Sequence, residues 1–577
     1  MMVQTEKQER NREWLWVGLL VGLAFAVRLA LVLFVDRVVW GDEPFYLWLG
    51  HNWFEGRGYS FTGYSDVHHT PGYPFLSAVF HLLTGNLESA SDVSYVLFGT
   101  LLMLPLYGLA RRIFSRQVGY IALLLAAVYP ALTGTILFWG TMTEPPYYFF
   151  AYAALFALLV GMERRRAWAV FLAGLAAGAA YIVRPEGVAY LSILLFYLVV
   201  IRLFEKRLLT KRTALELLCL LVGFALIFMP YMTYVRLETG AWMVSEKAGV
   251  TFLTSWRLAY GDTVAFDKST WGLDSTGLEV FFFSRESYHV SMTEIILQDP
   301  VEFARLVYQN IITFLAQAFT LRMFPYFFLP LVGLGLFGTA WERARAKREF
   351  LLLLSLLPVM AFLAFFIQER YIAALLPALI LWLAAGLVKL GEWVAATAQL
   401  LFPLREKAGM RVESRHKVSP LPSTLSPLGR GGDAWRRWGT WLPTLLVVAF
   451  LLVSLPRVMN DTARGSFRFA HKTAGLWMEL AGLTTQDTVI MARYPAIAFY
   501  ADAKWEPTPN ATWPEVLRYA RHVGADYFAL DSGEVEKLRP QLAFLMDEAR
   551  IPPELELVHV DTSEGERLMI YRIKPGL

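Results

Sequence analysis

The chain is punctuated by runs of roughly 17 to 23 mostly apolar residues, the length at which a helix crosses a hydrocarbon core of about 30 Å. About eleven such runs occur, near 14–35, 92–110, 118–138, 144–161, 167–183, 187–203, 214–234, 323–340, 350–367, 371–390 and 440–456. Backbone polar groups in lipid must be satisfied within each segment, so this pattern folds as an all-α polytopic membrane bundle. Only 18% of residues are charged, against about 25% in a soluble domain. The net charge of +4 does not point to nucleic acid, because the basic residues stand in short clusters between apolar runs. The one cysteine, Cys219, lies inside an apolar run, which excludes an intrachain disulfide and a cysteine-based metal site. The first run is too long for a signal-peptide core and reads as a retained span.

Threading the spans in order puts the basic clusters Arg111–Arg116, Arg164–Arg166, Arg202–Arg212, Arg343–Arg348 and Arg405–Arg437 on one side. The Lys/Arg bias of short loops makes that side the cytoplasm, with the N-terminus there, in a multi-pass plasma-membrane protein. The outer face then receives residues 36–91, the turns Trp139–Thr143, Arg184–Gly187 and Gln368–Arg370, the large loop 236–321, and everything after Leu455. Tyr73–Leu83 and Val301–Thr320 read as amphipathic or re-entrant pieces at that surface. The predicted organisation is a membrane domain over 1–456 and a small soluble α/β domain over 457–577. A Ser-, Pro-, Gly- and Arg-rich loop over 405–437 is expected to be flexible. In the tail, the β-prone runs "DTVIMA", "AIAFYA", "ADYFAL", "LELVHVD" and "RLMIYRI" alternate with helix-like stretches, as in a mostly buried sheet. No Gly-rich phosphate loop or nucleophile elbow occurs there, so a cap is the expected role.

The residues with chemical potential converge on the outer face. Asp42 and Glu43 follow the first span and precede "PFYLWLGHNWF", a pattern fit to lie on the membrane surface and hold the pair at fixed depth. Nothing basic adjoins the pair in sequence to neutralise it. Glu144, after Thr143 and before Pro145, fits a helix N-terminus and could wall the same cavity. Pro185 forces Arg184 out of helix beside Glu186, and Arg370 stands at another outer turn. Each arginine is either an interface anchor or a ligand for a lipid phosphate. Arg28 lies in the first span and either snorkels or points into the cavity. His68 and His69 read as an exposed polar loop, since adjacent histidines point apart and do not easily share a metal.

The order of "GDEPFY", "HTPGYPFL", "TEPP", "VRPEG" and "ERYIAALLP" resembles the GT-C class of membrane glycosyltransferases. The likeness is to the branch of protein O-mannosyltransferases, aminoarabinose transferases and RgtA/B/C/D-like transferases, over about residues 10 to 460. It implies a GT-C-like fold, a polyprenyl-phosphate sugar donor and inversion at the anomeric carbon. Catalytic roles fall to Asp42, Glu43 and Glu144, with Asp42 as base and the other two orienting the acceptor or Asp42. Donor and phosphate binding fall to Arg184, Arg370, Tyr46, Glu186 and Tyr371. Guanidinium groups match phosphate geometry, and one positioned carboxylate can take the acceptor's proton.

No cofactor is implied; an acidic pair can hold a divalent ion, but cations that bind the phosphate make a metal unnecessary. The expected partners are the lipid-linked donor, membrane lipids and a protein, lipid or polysaccharide acceptor, with no nucleic acid. A transporter or flippase of lipid-linked glycans is the competing reading, although the hydropathy pattern shows no internal repeat and no broken helix pair. A membrane scaffold indifferent to Asp42 is a third.

Overall fold

The computed structural model describes residues 2–259, 261–413, 428–463, 468–562, 565 and 567–575. Each predicted apolar run falls on helix. Among the described residues, 7 helices are long and apolar enough to cross a membrane, and Arg116–Val128, Ala167–Val183 and Tyr326–Phe337 are shorter apolar helices. The predicted surface pieces are the helices Gly72–Thr84 and Pro300–Ala318. All of the expected loop 405–437 lies outside the residues whose side chains are described; its backbone is helical to Glu413 and again from Leu428, where a flexible loop was expected, and 414–427 lie outside the described residues.

The predicted spans 118–138 and 350–367 are broken, and proline accounts for both. The run 118–138 is helical only to Val128 and continues as short 3-10 turns from Pro130. Proline lacks the N–H that would extend the helix, and the freed carbonyls need a donor. Arg28 supplies it: its guanidinium donates to the carbonyl oxygens of Leu132 at 3.2 Å and Ala126 at 3.5 Å, besides that of Ala24 in its own helix at 3.1 Å. Arg28 is fully buried, so it neither snorkels nor lines a cavity; the unwound chain beside it consumes its charge. The run 350–367 splits into Arg343–Leu354, Leu357–Met360, with Pro358 in its first turn, and a 3-10 turn Ala361–Ala364. That break exposes Phe362, Phe365 and Phe366 to a cavity, a setting in which irregular backbone at membrane depth is tolerated.

Ion pairs gather the basic clusters at one end of the bundle. Glu163 joins Arg112 to Arg348, Glu205 bonds Lys347, and Glu13 takes Arg111 and Arg116. At the other end, the turn carrying Asp42 locks into the turn before Glu144. Gly41 and Gly140 both have positive φ, +63° and +70°. They lie back to back, with the Glu43 N–H donating to the Gly140 carbonyl at 3.1 Å. A side chain on either would sit 2.8 Å from a carbonyl oxygen of the other turn, so glycine is required twice.

The C-terminal residues form a five-stranded sheet of order β2-β1-β3-β5-β4. Its strands are β1 (Val489–Ala492), β2 (Lys504–Pro507), β3 (Tyr527–Asp531), β4 (Leu555–Asp561) and β5 (Leu568–Ile573). The first three are parallel; β5 runs antiparallel to β3 and β4. "AIAFYA", expected as a strand, is the helix Ala496–Tyr500, and "KWEP" takes its place in the sheet. Pro495 opens that helix, and Ala496, Ile497, Ala498 and Tyr500 are buried around it. An all-buried segment carries no periodicity to separate helix from strand. The last long helix runs on to Ala463, past the expected boundary at Pro456.

Gly140→Ala forces a Cβ against the Trp40 carbonyl at a positive φ. It is expected to cost about 1–3 kcal/mol, read as a lowered midpoint of thermal unfolding in detergent.

Candidate active site

The locked turns open onto a cavity of about 570 Å³. Asp42 is the N-cap of the helix Glu43–Phe54, with Pro44 in its first turn and no side-chain capping bond. Its carboxylate is therefore free to face the cavity, where Oδ2 accepts from Lys247 Nζ at 3.3 Å, with both side chains about 30% exposed. Burial alone would raise the Asp42 carboxyl, but the Lys247 ammonium, then Arg370 and His69, hold it below its ordinary value. Tyr46, one turn on, lines the same space.

Glu43 turns the other way. It is fully buried and takes two bonds from Arg37 Nη1, at 2.9 and 3.0 Å, and one from Ser91. The acidic pair thus has a neutralising base after all, Arg37, brought to Glu43 by the irregular chain between the first span and the helix. Glu43 is absent from the cavity wall and is held in a buried ion pair with Arg37.

Glu144 begins its helix as predicted. Its carboxylate accepts from Thr141 Oγ1 at 2.8 Å and from Arg184 Nη1 at 2.7 Å. Arg184 also donates to Thr143 at 3.0 Å and to Glu186 at 3.2 Å, and lies over the rings of Tyr147 and Tyr371. Two carboxylates therefore occupy this guanidinium. Met142, between the two threonines, is buried and has φ of 55°, a conformation that surrounding contacts must impose.

Arg370 is the contrast. Its one side-chain hydrogen bond runs from Nη2 to Tyr371 Oη at 3.2 Å, and its buried Nε has no partner among the described residues. Arg370, Lys247 and Asp42 line one cavity with Arg184, Glu186, Tyr46 and Tyr371. Its apolar side is built from Val188, Ala189, Pro358 and the phenylalanines of the broken span.

The histidines are buried, not exposed. His69 Nδ1 lies 3.0 Å from Asp66, and His68 pairs with Glu246 and stacks on Phe282 at 4.2 Å between ring centres. Their loop is drawn inward because Tyr231 and Tyr234 donate to the carbonyls of Val67 and Asp66. Among the described residues no group of three or more His, Cys, Asp or Glu is placed to hold a metal ion. Lys247 went unseen in the sequence. It stands 205 residues from Asp42, in a long loop where one lysine among many polar residues carries no signal.

Residues 68–234 match the family model of dolichyl-phosphate-mannose-protein mannosyltransferase. The structure of ArnT from Cupriavidus metallidurans bound to undecaprenyl phosphate superposes with a TM-score of 0.54 at 16% identity, covering 96% of this chain and 98% of that one. This chain has the fold of the GT-C membrane glycosyltransferases. It is a multi-pass membrane protein, as its apolar helices require. The Archaeoglobus fulgidus oligosaccharyltransferase in complex with Zn and sulfate gives a TM-score of 0.51 at 14% identity, over 90% of this chain and 68% of that one. No curated protein matches the sequence.

Arg37→Met would strand Glu43, whose side chain is 0% exposed, without its counter-charge. The expected loss is about 3–5 kcal/mol, measured as a lower unfolding midpoint and a smaller yield of monodisperse protein.

Proposed function

We propose that this GT-C protein moves a sugar from a polyprenyl-phosphate donor to an acceptor hydroxyl, inverting the anomeric carbon. We place the reaction at the outer face of the plasma membrane, with the N-terminus cytoplasmic and residues 457–577 as a soluble domain outside. The observation that carries the reading is Arg370. A buried guanidinium short of partners, beside a lysine and a carboxylate in a cavity with one apolar wall, suits a phosphate attached to a lipid. The structure of ArnT with undecaprenyl phosphate supports the same class of donor.

In this reading Arg370 and Lys247 hold the donor phosphate and stabilise the negative charge that grows on it as the sugar leaves. Asp42 accepts the acceptor's proton while the hydroxyl oxygen attacks the anomeric carbon from the side opposite the phosphate. Lys247 links the two events. Paired with Asp42 it makes the carboxylate a weak base; drawn to the donor phosphate it leaves a stronger one. Glu144, Arg184 and Glu186 form an ion-paired cluster with one carboxylate in excess, whose guanidinium orients Tyr371 and the neighbouring wall, and Tyr46 flanks the acceptor. Glu43 holds the turn through Arg37.

The test is turnover of radiolabelled polyprenyl-phosphate sugars by purified protein in nanodiscs, with crude envelope acceptors supplied. Asp42→Asn is expected to lower kcat by about a hundredfold or more. Wild-type turnover untouched by this change would remove Asp42 as base, and tight donor binding without any cleavage would favour the transporter.

The pH profile gives a second check. Asp42 lies below its ordinary value of 3.8, so its ion pair with Lys247 is intact above that value and is lost as pH falls through the depressed one. Lys247→Met removes the leading favourable partner, so the acid limb of kcat/KM should move to higher pH. An unmoved limb would show that Asp42 does not control it.

A further inference from the structure

In an open sheet with parallel strands ordered 2-1-3, ligands bind in the crevice beyond the carboxyl ends of the strands, where the strand order reverses. Here that crevice is occupied from within the chain. Arg493 follows β1, Asn510 follows β2 and Arg539 lies beyond β3. All three donate to one carboxylate, Asp267: Arg493 Nε at 2.7 Å, Asn510 Nδ2 at 2.9 Å and Arg539 Nε at 3.0 Å. Asp267 is fully buried. It belongs to the helix Thr263–Trp271 in the large loop, far from the tail in sequence. The Asn510 N–H donates to the Trp271 carbonyl at 2.7 Å, and the Arg493 guanidinium lies 4.4 Å over the Trp271 ring. From the same helix Phe266, Thr270 and Trp271 also line the catalytic cavity, so Trp271 touches both the dock and the cavity.

We infer that the C-terminal sheet uses its ligand crevice as a dock for the cavity roof, and that Asp267 is the positioning residue through which the dock acts on catalysis. A buried charge held by three donors keeps one orientation, and the helix that carries it keeps one height over the reacting groups. The same sheet-bearing unit grips the other wall. Lys472 donates to Asp36 and to the Arg37 carbonyl, both at 2.9 Å, and Tyr500 Oη accepts the Val39 N–H at 2.9 Å. The roof helix and the irregular segment leading to Asp42 are thus both held by the C-terminal domain. A shift of the roof by about 1 Å is enough to cost a large factor in rate.

The inference rests on the transfer reading, so its test has one arm that needs no activity. Amide hydrogen exchange over residues 263–271 is followed in the wild type, Asp267→Asn and Arg493→Lys, in nanodiscs. Local opening free energy sets that exchange, and both variants are expected to exchange at least about tenfold faster. Arg493→Lys keeps the charge and loses the stacked plane, and it stands in where Asp267→Asn folds poorly. In the second arm, Arg493→Lys should lower kcat about tenfold or more with donor KM unchanged and thermal midpoint near that of the wild type. Unchanged exchange would overturn the dock. Faster exchange with unaltered kcat would overturn the positioning role, as would a kcat loss explained wholly by less folded protein. A wild type that turns over no donor would sink the transfer reading instead, and the exchange arm would then decide the dock by itself.

Discussion

A charged group buried at the rim of a bilayer needs an opposite charge within a few ångströms, and the site is organised by how that demand is met. Arg184 meets it twice, with Glu144 and Glu186. Glu43 meets it with Arg37. Asp42 meets it once, loosely, through a half-exposed lysine from a distant loop. Among the described residues the Arg370 side chain hydrogen-bonds one tyrosine hydroxyl and forms no ion pair. The Glu43 pair is withdrawn from the cavity wall, while Arg184 and Glu186 share that wall with the incomplete groups. The incomplete groups face the same cavity, where a ligand's charge can complete them. Breaking a finished buried pair removes structure, whereas altering an unfinished one changes what can bind.

The backbone obeys the same economy. Where proline stops a helix, something supplies the missing partner: Arg28 for the carbonyls near Pro130, and a cavity lined by phenylalanines for the break at Pro358. The Gly41 and Gly140 turns approach so closely that only hydrogen fits between each and the other's carbonyl. This contact fixes the relative height of Asp42 and Glu144 without any side chain taking part.

The sequence made the membrane architecture legible because spanning segments declare themselves by length and apolarity. Every predicted run met a helix, and the turns bearing Asp42, Glu144, Arg184 and Arg370 came together around adjoining walls. Sequence position could not show which charges were already spent. Glu43 and Asp42 are neighbours in the chain, yet a helical turn sends them about opposite ways, one to Arg37 and one to Lys247. His68 and His69 looked like surface residues because their polarity was visible and their partners, Glu246 and Asp66 in a loop pulled inward by two tyrosines, were not. Four of the five strands were legible; Lys504–Pro507 was missed and Ala496–Tyr500 taken for it, because near-complete burial erased the periodicity that distinguishes helix from strand.

Asn510 heads an Asn-Ala-Thr sequon. In the folded protein its side chain is 3% exposed and its amide nitrogen is committed to Asp267. An oligosaccharide on that nitrogen and the closed dock are mutually exclusive. A cell that glycosylates its secreted chains would attach the glycan before the tail has folded, and the modified molecule could never seat its roof helix. The choice of expression host is therefore a structural variable for this protein, and one that a serine in place of Thr512 would not remove.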